Sequence, residues 1–294
     1  MDSVKLNIAD IIIEVETETA NLTFTDDQAH KKFIVEDGTP HIKLFAHYGK
    51  LPNIKLGKLI FDSESVWKLY SSIDDDKVVF TLHSPPNAET PYSIAVIDKS
   101  FRKGEIYLSN SALPEESPSP NPLNYPLDEL IMLSILSKGY GIILHSACVS
   151  DNGRGMLFTG TSGAGKSTIS AIWKNKDGVT VLTDERVIIK KENSRYVAYG
   201  TPWHGTAKIH SPEKTNLDGI FFIKHGKENN AKPLNKIDAV SRFIARAFPT
   251  YWDKEGMEFS LNFASAVVEN VSCFELYFTP DDGVVDYVRS IKKQ

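Results

Sequence analysis

The sequence has few cysteines, no long hydrophobic run and no excess of positive charge. Its two cysteines, Cys148 and Cys273, lie far apart in apolar stretches, which favours reduced, packed thiols over a disulfide or a metal site. Nowhere do about 18 apolar residues run together, and acids interrupt the N-terminal stretch, so neither a membrane span nor a signal peptide is predicted. The net charge of −5 argues against a general affinity for nucleic acid or anionic lipid. We therefore expect a cytoplasmic protein that binds neither nucleic acid nor membranes.

The composition that remains is that of an ordinary globular protein with room for two modest domains. The chain has 294 residues, of which 41% are hydrophobic and 24% are charged. Alternating apolar residues in the first half predict β-strands, for example with Ile42, Leu44, Ala46 and Tyr48 on one face. A helix capped by Ser63 is predicted to interrupt these strands. Residues 1–120 are thus expected to form a β-rich accessory domain.

A proline-rich segment separates the two halves of the chain. Residues 111–126 contain five prolines, which remove amide donors and block helix formation, so an extended linker is expected there. We place the domain boundary at residue 120. The stretch that follows is apolar nearly all round and predicts a buried helix ending at Gly139.

Residues 121–294 alternate between strand and helix patterns, which predicts an α/β domain. The pair Asn152-Gly153 predicts a tight hairpin between the first two strands. One predicted helix has Ile237, Val240, Ile244 and Ala247 on its apolar face. The predicted elements of this half are strands at 141–150, 155–160, 179–185, 217–226 and 271–278, a hairpin at 186–200, and helices at 166–175, 235–248 and 281–293.

A phosphate-binding pattern, G-x-x-x-x-G-K-[ST], follows the second of these strands. A strand of β-formers precedes it and an amphipathic helix follows it, which is the arrangement that such a loop requires. In this pattern Lys166 reaches the β- and γ-phosphates and Ser167 ligates Mg²⁺. The pattern predicts an ATP site, with Mg²⁺, whose candidate residues are Gly160, Thr161, Ser162, Gly163, Ala164, Gly165, Lys166, Ser167 and Thr168.

Two adjacent acids, Asp184 and Glu185, follow the next predicted strand. Asp184 lies 18 positions after Lys166, a spacing that suffices for one helix and a return strand. A parallel crossover would then bring both acids to the sheet edge that holds the loop. Paired acids at a strand end also occur in solvated turns, but beside this loop we favour a role in magnesium binding and catalysis.

These features together resemble the catalytic domain of the HPr kinase/phosphorylase family, whose nucleotide-binding fold is shared with phosphoenolpyruvate carboxykinases. The resemblance is close over residues 140–190, where a histidine, the glycine-rich loop and two acids follow one another. It implies that Asp184 is the catalytic base, that Glu185 helps Ser167 to hold the metal, and that His145 and Lys166 belong to the catalytic site. It also implies the P-loop, phosphoenolpyruvate carboxykinase-like fold for residues 121–294.

The sequence departs from this family at two places. The family usually has two aspartates where this chain has Asp184 and Glu185, so metal placement is expected to differ by about one methylene. The glycine- and arginine-rich signature of enzymes that act on HPr is missing, and residues 199–207, YGTPWHGTA, stand in its place. This combination resembles the shorter HPr-kinase-like proteins found beside genes for modified peptides, whose acceptors are various.

Several other residues have two interpretations. His145 is either a packed core histidine or a group that steers the base or the phosphoryl group. Trp203 and His204 either fill the core or shape an acceptor loop near the nucleotide, and the second is slightly favoured. Four cationic residues are candidates for stabilising the transferred phosphate, although such side chains are usually solvated: Arg186, Lys208, Arg242 and Arg246.

The predicted function is an ATP- and Mg²⁺-dependent kinase that phosphorylates a hydroxyl acceptor, namely a serine of a peptide, a protein or a small molecule. A nucleotide-binding regulatory protein without transferase activity is one alternative, and a carboxykinase-like enzyme is another. The β-rich half is expected to recognise or dock the acceptor. The sequence leaves open which acceptor is used, whether phosphorylase activity exists, and whether the chain forms a homo-oligomer.

Overall fold

The computed structural model describes residues 2–18, 28–86, 88–109 and 121–291 and divides the chain into two compact units, residues 1–135 and 136–294. The predicted boundary at residue 120 and most of the proline-rich segment lie outside the described residues. The division in the structure falls after Ile135, so the helix that follows the prolines belongs to the first unit. In the described part of the chain, no helix has the length and apolar character needed to cross a membrane.

The described residues of the first unit form a nine-stranded sheet with the order β3-β1-β2-β4-β9-β8-β7-β6-β5. Most neighbouring strands are antiparallel, but β4 runs parallel to both β2 and β9. The elements are β1 (Asp2–Ile8), β2 (Ile11–Thr17), α1 (Gln28–Lys31), β3 (Ile34–Val35), β4 (Ile42–Gly49), β5 (Leu56–Asp62), β6 (Trp67–Ser72), β7 (Lys77–Leu82), β8 (Ser93–Asp98), β9 (Lys103–Ser109) and α2 (Leu127–Ile135).

The predicted strand pattern of this half is confirmed at β4, where Ile42, Leu44 and Ala46 are buried in alternation. The helix predicted after Ser63 is wrong, because Trp67–Ser72 form strand β6 between β5 and β7. The Ser63 hydroxyl donates to the Trp67 carbonyl at 2.6 Å and accepts from its amide at 3.2 Å. Ser63 therefore closes a local turn rather than capping a helix, and the aromatic residues that follow suit a strand.

The second unit contains an eight-stranded sheet and four α-helices in its described residues. The main strand order is β11-β10-β13-β14-β15-β17-β16, and β12 pairs with β10. The elements, after a π-helical turn at Leu136–Tyr140, are β10 (Gly141–Asp151), β11 (Arg154–Thr159), α3 (Lys166–Lys174), β12 (Val179–Thr183), β13 (Arg186–Glu192), β14 (Arg195–Tyr199), β15 (Lys214–His225), β16 (Asn230–Pro233), α4 (Lys236–Ile244), α5 (Lys254–Asn270), β17 (Ser272–Phe278) and α6 (Gly283–Ser290).

Helices cover both faces of this second sheet, which gives the unit its mixed α/β architecture. One apolar cluster joins Ala239 and Phe243 of α4 and Phe263 of α5 to one face of the sheet. A second cluster joins helices α3 and α6 to the other face through Trp173 and Val284. Cys148 and Cys273 are buried free thiols, as predicted, and burial raises the pKa of Cys273 to about 12.

The helix predictions in this unit are corrected at two places. Ile237, predicted on the apolar face of α4, is 83% exposed, and the buried residues of α4 are Ala239 and Phe243. Helix α5 was not predicted. Its buried face begins with Gly256 and Ser260 but continues with Phe263, Ala264, Val267 and Val268, whose helical spacing is a signal that the sequence analysis overlooked.

Strand β10 positions the candidate site, because it pairs with β11 on one edge and with β12 and β13 on the other. Both β11 and β12 are antiparallel to β10, so they run parallel to each other and α3 is the crossover between them. Thr159, which ends β11, lies opposite Ser146, and Thr183, which ends β12, lies opposite Cys148. The carboxyl ends of the two strands therefore lie two residues apart along β10, where the loop and the paired acids begin.

Candidate functional site

The glycine-rich loop connects β11 to the first residue of α3, Lys166. Gly163 has φ of +77° and Gly165, the N-cap of α3, has φ of +100°, a region that favours glycine. The Ala164 amide donates to the Thr161 carbonyl at 3.1 Å, and the Ile169 amide donates to Gly165 at 2.9 Å. The predicted strand, loop and helix are thus present in the structure. The first amides of an α-helix have no acceptor within the helix, and such amides are a common anion-binding feature in proteins.

Close packing fixes the loop against the ends of two further strands. A Cβ atom at Gly165 would lie 2.8 Å from Phe278 Cζ, and one at Gly160 would lie 2.7 Å from Ala164 Cβ. His225, the last residue of β15, donates from Nε2 to the Gly163 carbonyl at 2.9 Å. Sequence analysis missed His225 and Phe278, which end their strands without forming any motif.

Lys166 is the cation of the loop. It is buried, and its Nζ donates to the Gly160 carbonyl at 3.4 Å. Burial is the main cause that lowers its pKa; the charge of Glu185 opposes this effect and the charge of Arg246 adds to it. Burial therefore disfavours the charged form of this amino group, and a nearby anion would favour it.

Glu185 forms a half-buried cluster with His145 and Arg186. Its Oε1 lies 3.1 Å from His145 Nε2 and 3.4 Å from Arg186 Nη1. The hydrogen bond from His145 is the largest cause that lowers the pKa of Glu185; burial opposes it, and the charges of His145, Arg186 and Lys166 add to it. Glu185 is therefore an ionised carboxylate at neutral pH.

The backbone holds His145 in place from two directions. Its carbonyl accepts from the Thr159 hydroxyl at 2.9 Å, and its amide donates to the Arg246 carbonyl at 2.8 Å. An isolated bridge between Leu144 and Ala247 continues this pairing. His145 is thus anchored through its backbone and contacts Glu185, and the role in the site that the resemblance implies for it stays a prediction.

Asp184 has surroundings that differ from those of Glu185, although the two are adjacent. It is fully buried. Its Oδ1 accepts from the amides of Gly205 at 3.0 Å and Ile209 at 3.4 Å, and its Oδ2 accepts from the amide of Ala207 at 3.0 Å. The role of proton acceptor that the resemblance implies for Asp184 stays a prediction.

The segment that replaces the family signature borders this site. Trp203 is 6% exposed, which fits the core-filling interpretation. A Cβ atom at Gly205 would lie 2.9 Å from Asp184 Oδ2 and 3.0 Å from Glu185 Oε2, so this backbone passes against both acids. The rings of His204 and His210 lie 5.3 Å apart, and His210 bridges to Thr183.

Two of the four candidate cationic residues face this site. The positive charge of Arg246 contributes to lowering the pKa of Lys166. Arg186 contacts Glu185, and its guanidinium lies 5.1 Å from the centre of the Phe248 ring. Arg242 instead pairs with Glu275 at 2.6 Å. Lys208 is exposed on the segment that contacts Asp184.

Some side chains at the site are of the types that bind Mg²⁺ beside a nucleotide. Across the described ranges, no group of three or more His, Cys, Asp or Glu side chains could hold a metal ion. Mg²⁺ at nucleotide sites is usually held by one or two carboxylates together with phosphates and water. The ionised Glu185 and the Ser167 hydroxyl at the start of α3 fit this requirement.

Comparison with known proteins gives a distant likeness. No protein-family model matches the sequence, and no curated protein matches it. The solved structure of an Hpr(Ser) kinase/phosphatase from Coxiella burnetii is similar over 50% of this chain and 95% of that chain, with 13% identity and a TM-score of 0.29.

Proposed function

We propose that this protein is an ATP- and Mg²⁺-dependent kinase that transfers the γ-phosphoryl group to a hydroxyl, such as a serine of a peptide, a protein or a small molecule. The observation that carries this proposal is the meeting of three features at the ends of β11 and β12. These features are a glycine-rich loop at a helix N-terminus, a buried lysine, and an ionised glutamate paired with a histidine. They supply the phosphate-binding and charge-neutralising groups that phosphoryl transfer requires.

Residues of the loop and of α3 would bind the nucleotide. The amides of the loop and the first turn of α3 face the phosphates, and Lys166 neutralises their charge. Because Lys166 is buried and its pKa is lowered, an anionic ligand gains more from this lysine than from an exposed one.

Ser167 and Glu185 would hold the magnesium ion. When bound, the ion neutralises charge on the β- and γ-phosphates. His145 and Arg186 fix the orientation of the Glu185 carboxylate through Oε1, and Oε2 is the oxygen that approaches Gly205. The resemblance assigns the proton of the acceptor hydroxyl to Asp184.

Nucleotide binding is tested first. Titration calorimetry with MgATP is expected to show saturable binding for the wild type and at least about a hundred-fold weaker binding for Lys166→Ala, since a buried phosphate contact to a charged group is lost. Lys174→Ala, an exposed change in the last turn of the same helix, is the matched control. Absence of wild-type binding at millimolar MgATP would refute the proposal.

A second candidate function, a nucleotide-dependent switch without transfer, is favoured by the environment of Asp184. Three amides already engage the carboxylate that would accept the proton. Labelled γ-phosphate and a cell extract distinguish the two functions. The kinase transfers label to a serine-bearing acceptor, whereas the switch binds nucleotide and labels nothing.

A further inference from the structure

We propose that Asp184 is a positioning residue, which holds residues 205–209 against Glu185 and thereby sets the metal-binding side of the site. The inference rests on the proposed function for its ligand, MgATP. Its structural half concerns the fold of this segment and can be measured without any nucleotide.

Burial and hydrogen bonding at Asp184 are those of a structural carboxylate. The side chain is fully buried and its two oxygens accept three backbone amide hydrogens. A carboxylate has about four acceptor positions, so three are already used. Hydrogen bonds from backbone amides to a buried carboxylate are among the stronger ones in proteins, and leaving such donors unpaired is costly.

The donors belong to alternate residues of one short segment. Gly205, Ala207 and Ile209 donate, while Thr206 and Lys208 between them are exposed. Asp184 thus binds one side of the segment through its backbone amides, and the other side is exposed. The bridge between Thr183 and His210 continues the attachment immediately after Ile209.

The bonded segment passes next to Glu185 at Gly205. A Cβ atom at Gly205 would lie 3.0 Å from Glu185 Oε2, while Glu185 Oε1 is engaged by His145 and Arg186. The glutamate is therefore held on one side by His145 and Arg186 and is bordered on the other by backbone that Asp184 fixes. Movement of Gly205 would change the surroundings of Oε2, the oxygen that His145 and Arg186 do not engage, and would thereby alter the side of Glu185 that would bind the metal.

The test uses the full chain and begins with Asp184→Asn, which keeps the shape but replaces one acceptor oxygen with a donor. Hydrogen exchange without nucleotide is expected to speed up by about ten-fold or more at the amides of Gly205, Ala207 and Ile209. Asp286→Asn, the same chemical change on the exposed face of α6, is the control and should leave these rates unchanged.

Titration calorimetry with and without Mg²⁺ separates positioning from general damage. Asp184→Asn is expected to weaken binding of MgATP by about ten-fold and binding of metal-free ATP by less than about two-fold, because the loop and Lys166 are untouched. Equal weakening of both would mean general structural damage and would overturn the proposal.

A second variant disturbs the packing of Gly205 against the two acids while keeping the Asp184 carboxylate. Gly205→Ala places a Cβ atom against both acids and is expected to reproduce both the faster exchange and the loss specific to MgATP. It keeps the proposal testable if Asp184→Asn does not fold.

Two further outcomes separate this proposal from the proposed function. If Asp184→Asn leaves exchange and MgATP affinity unchanged but abolishes phosphate transfer, Asp184 is the proton acceptor and the positioning role is wrong. If the wild type binds no nucleotide but Asp184→Asn still speeds up exchange, the kinase proposal fails. The contact between Asp184 and residues 205–209 would then only stabilise the fold, and Asp184 would have no role in metal binding.

Discussion

The two units of the molecule use β-sheet in different ways. In the first, nine strands form a sheet in which most neighbours are antiparallel, and its two described α-helices have four and nine residues. In the second, α3 crosses from β11 to β12 and helices cover both faces of the sheet. The crossover brings a helix N-terminus, a glycine-rich loop and two acids to one sheet edge. Hairpins alone place no helix N-terminus at a strand end.

Charged residues in the first unit are arranged differently from those around the loop. A groove of about 520 Å³ on its sheet is lined by the lysines Lys43, Lys77 and Lys103 and by the acids Glu16, Asp98 and Glu105. Its charges balance and lie at the surface, where water screens them. Around the loop, by contrast, burial strengthens the interactions of Lys166 and Glu185. The docking role predicted for the first unit stays a prediction.

The largest effect predicted from the comparison of the two units is that MgATP protects only the second unit from hydrogen exchange. Amides at 160–168 should exchange about a hundred-fold more slowly when MgATP is present at about 100 times its Kd. Rates in β4 and β9 should not change. Comparable protection along β4 and β9 would mean that the first sheet contributes to the nucleotide site.

The next prediction tests how tightly the loop is packed. Gly165→Ala should weaken ATP binding by about ten-fold or more, because its Cβ atom would lie 2.8 Å from Phe278 Cζ and its φ is +100°. Gly163→Ala has a similar backbone conformation, with φ of +77°, but nothing lies within 4 Å of its added Cβ atom. Calorimetry should therefore show the smaller loss for Gly163→Ala. Equal losses would show that backbone strain decides, not contact with the sheet.

The loop could be predicted from sequence because its requirements are local. Left-handed glycines, a lysine and a helix start follow one another within nine residues, and the hairpin at Asn152-Gly153 is equally local, with φ of +50° and +80°. The crossover was predictable from the length of the connection. Residues around the loop were not, because contacts such as Asp184 with Gly205 span about twenty residues and follow no periodicity.

Strand β6 and helix α5 show two further limits of the sequence pattern. An apolar spacing that fits a helix also fits a strand when aromatic residues dominate, and only pairing on both sides decided for β6. In α5, Gly256 and Ser260 face the interior. Close approach of these two small residues becomes visible only once the fold is known, whereas the buried residues Phe263, Ala264, Val267 and Val268 follow a helical spacing that the sequence does display.

A third prediction separates two arginines of the second unit that lie four residues apart. Arg246→Gln should lower phosphate transfer by about ten-fold, since Arg246 places positive charge beside Lys166, where the transferred phosphate is expected. Arg242→Gln is the matched control, because Arg242 pairs with Glu275 instead, and it should leave transfer within about two-fold. Transfer rates at saturating MgATP measure both. If Arg242→Gln lowered transfer more than Arg246→Gln, the transferred phosphate would be expected to lie nearer β17.

The smallest expected effect compares one ion-paired acid in each sheet. Lys224 Nζ lies 2.7 Å from Glu275 Oε1 in the second unit, and Lys43 Nζ lies 2.9 Å from Glu14 Oε2 in the first. The hydrogen bond from Lys224 is the main cause that lowers the pKa of Glu275 to about 2, with burial opposing it and Arg242 adding to it. The hydrogen bond from Lys43 likewise lowers the pKa of Glu14, against the effect of burial.

A lowered carboxyl pKa stabilises the folded state above the pKa of the unfolded chain, and this stability is lost as the pH falls through the folded value. For Glu275 the loss should occur between about pH 4.5 and about pH 2. Because Lys224 is half exposed, we expect the effect to be only about 1 kcal/mol. Hydrogen exchange at pH 3.5 and pH 6 can follow each sheet separately. Glu275→Gln should reduce the acid sensitivity of β15 and β17 alone, and Glu14→Gln that of β2 and β4 alone. If either change altered the acid sensitivity of both sheets equally, the two units would unfold together. The differences between the units would then concern their architecture and not their stability.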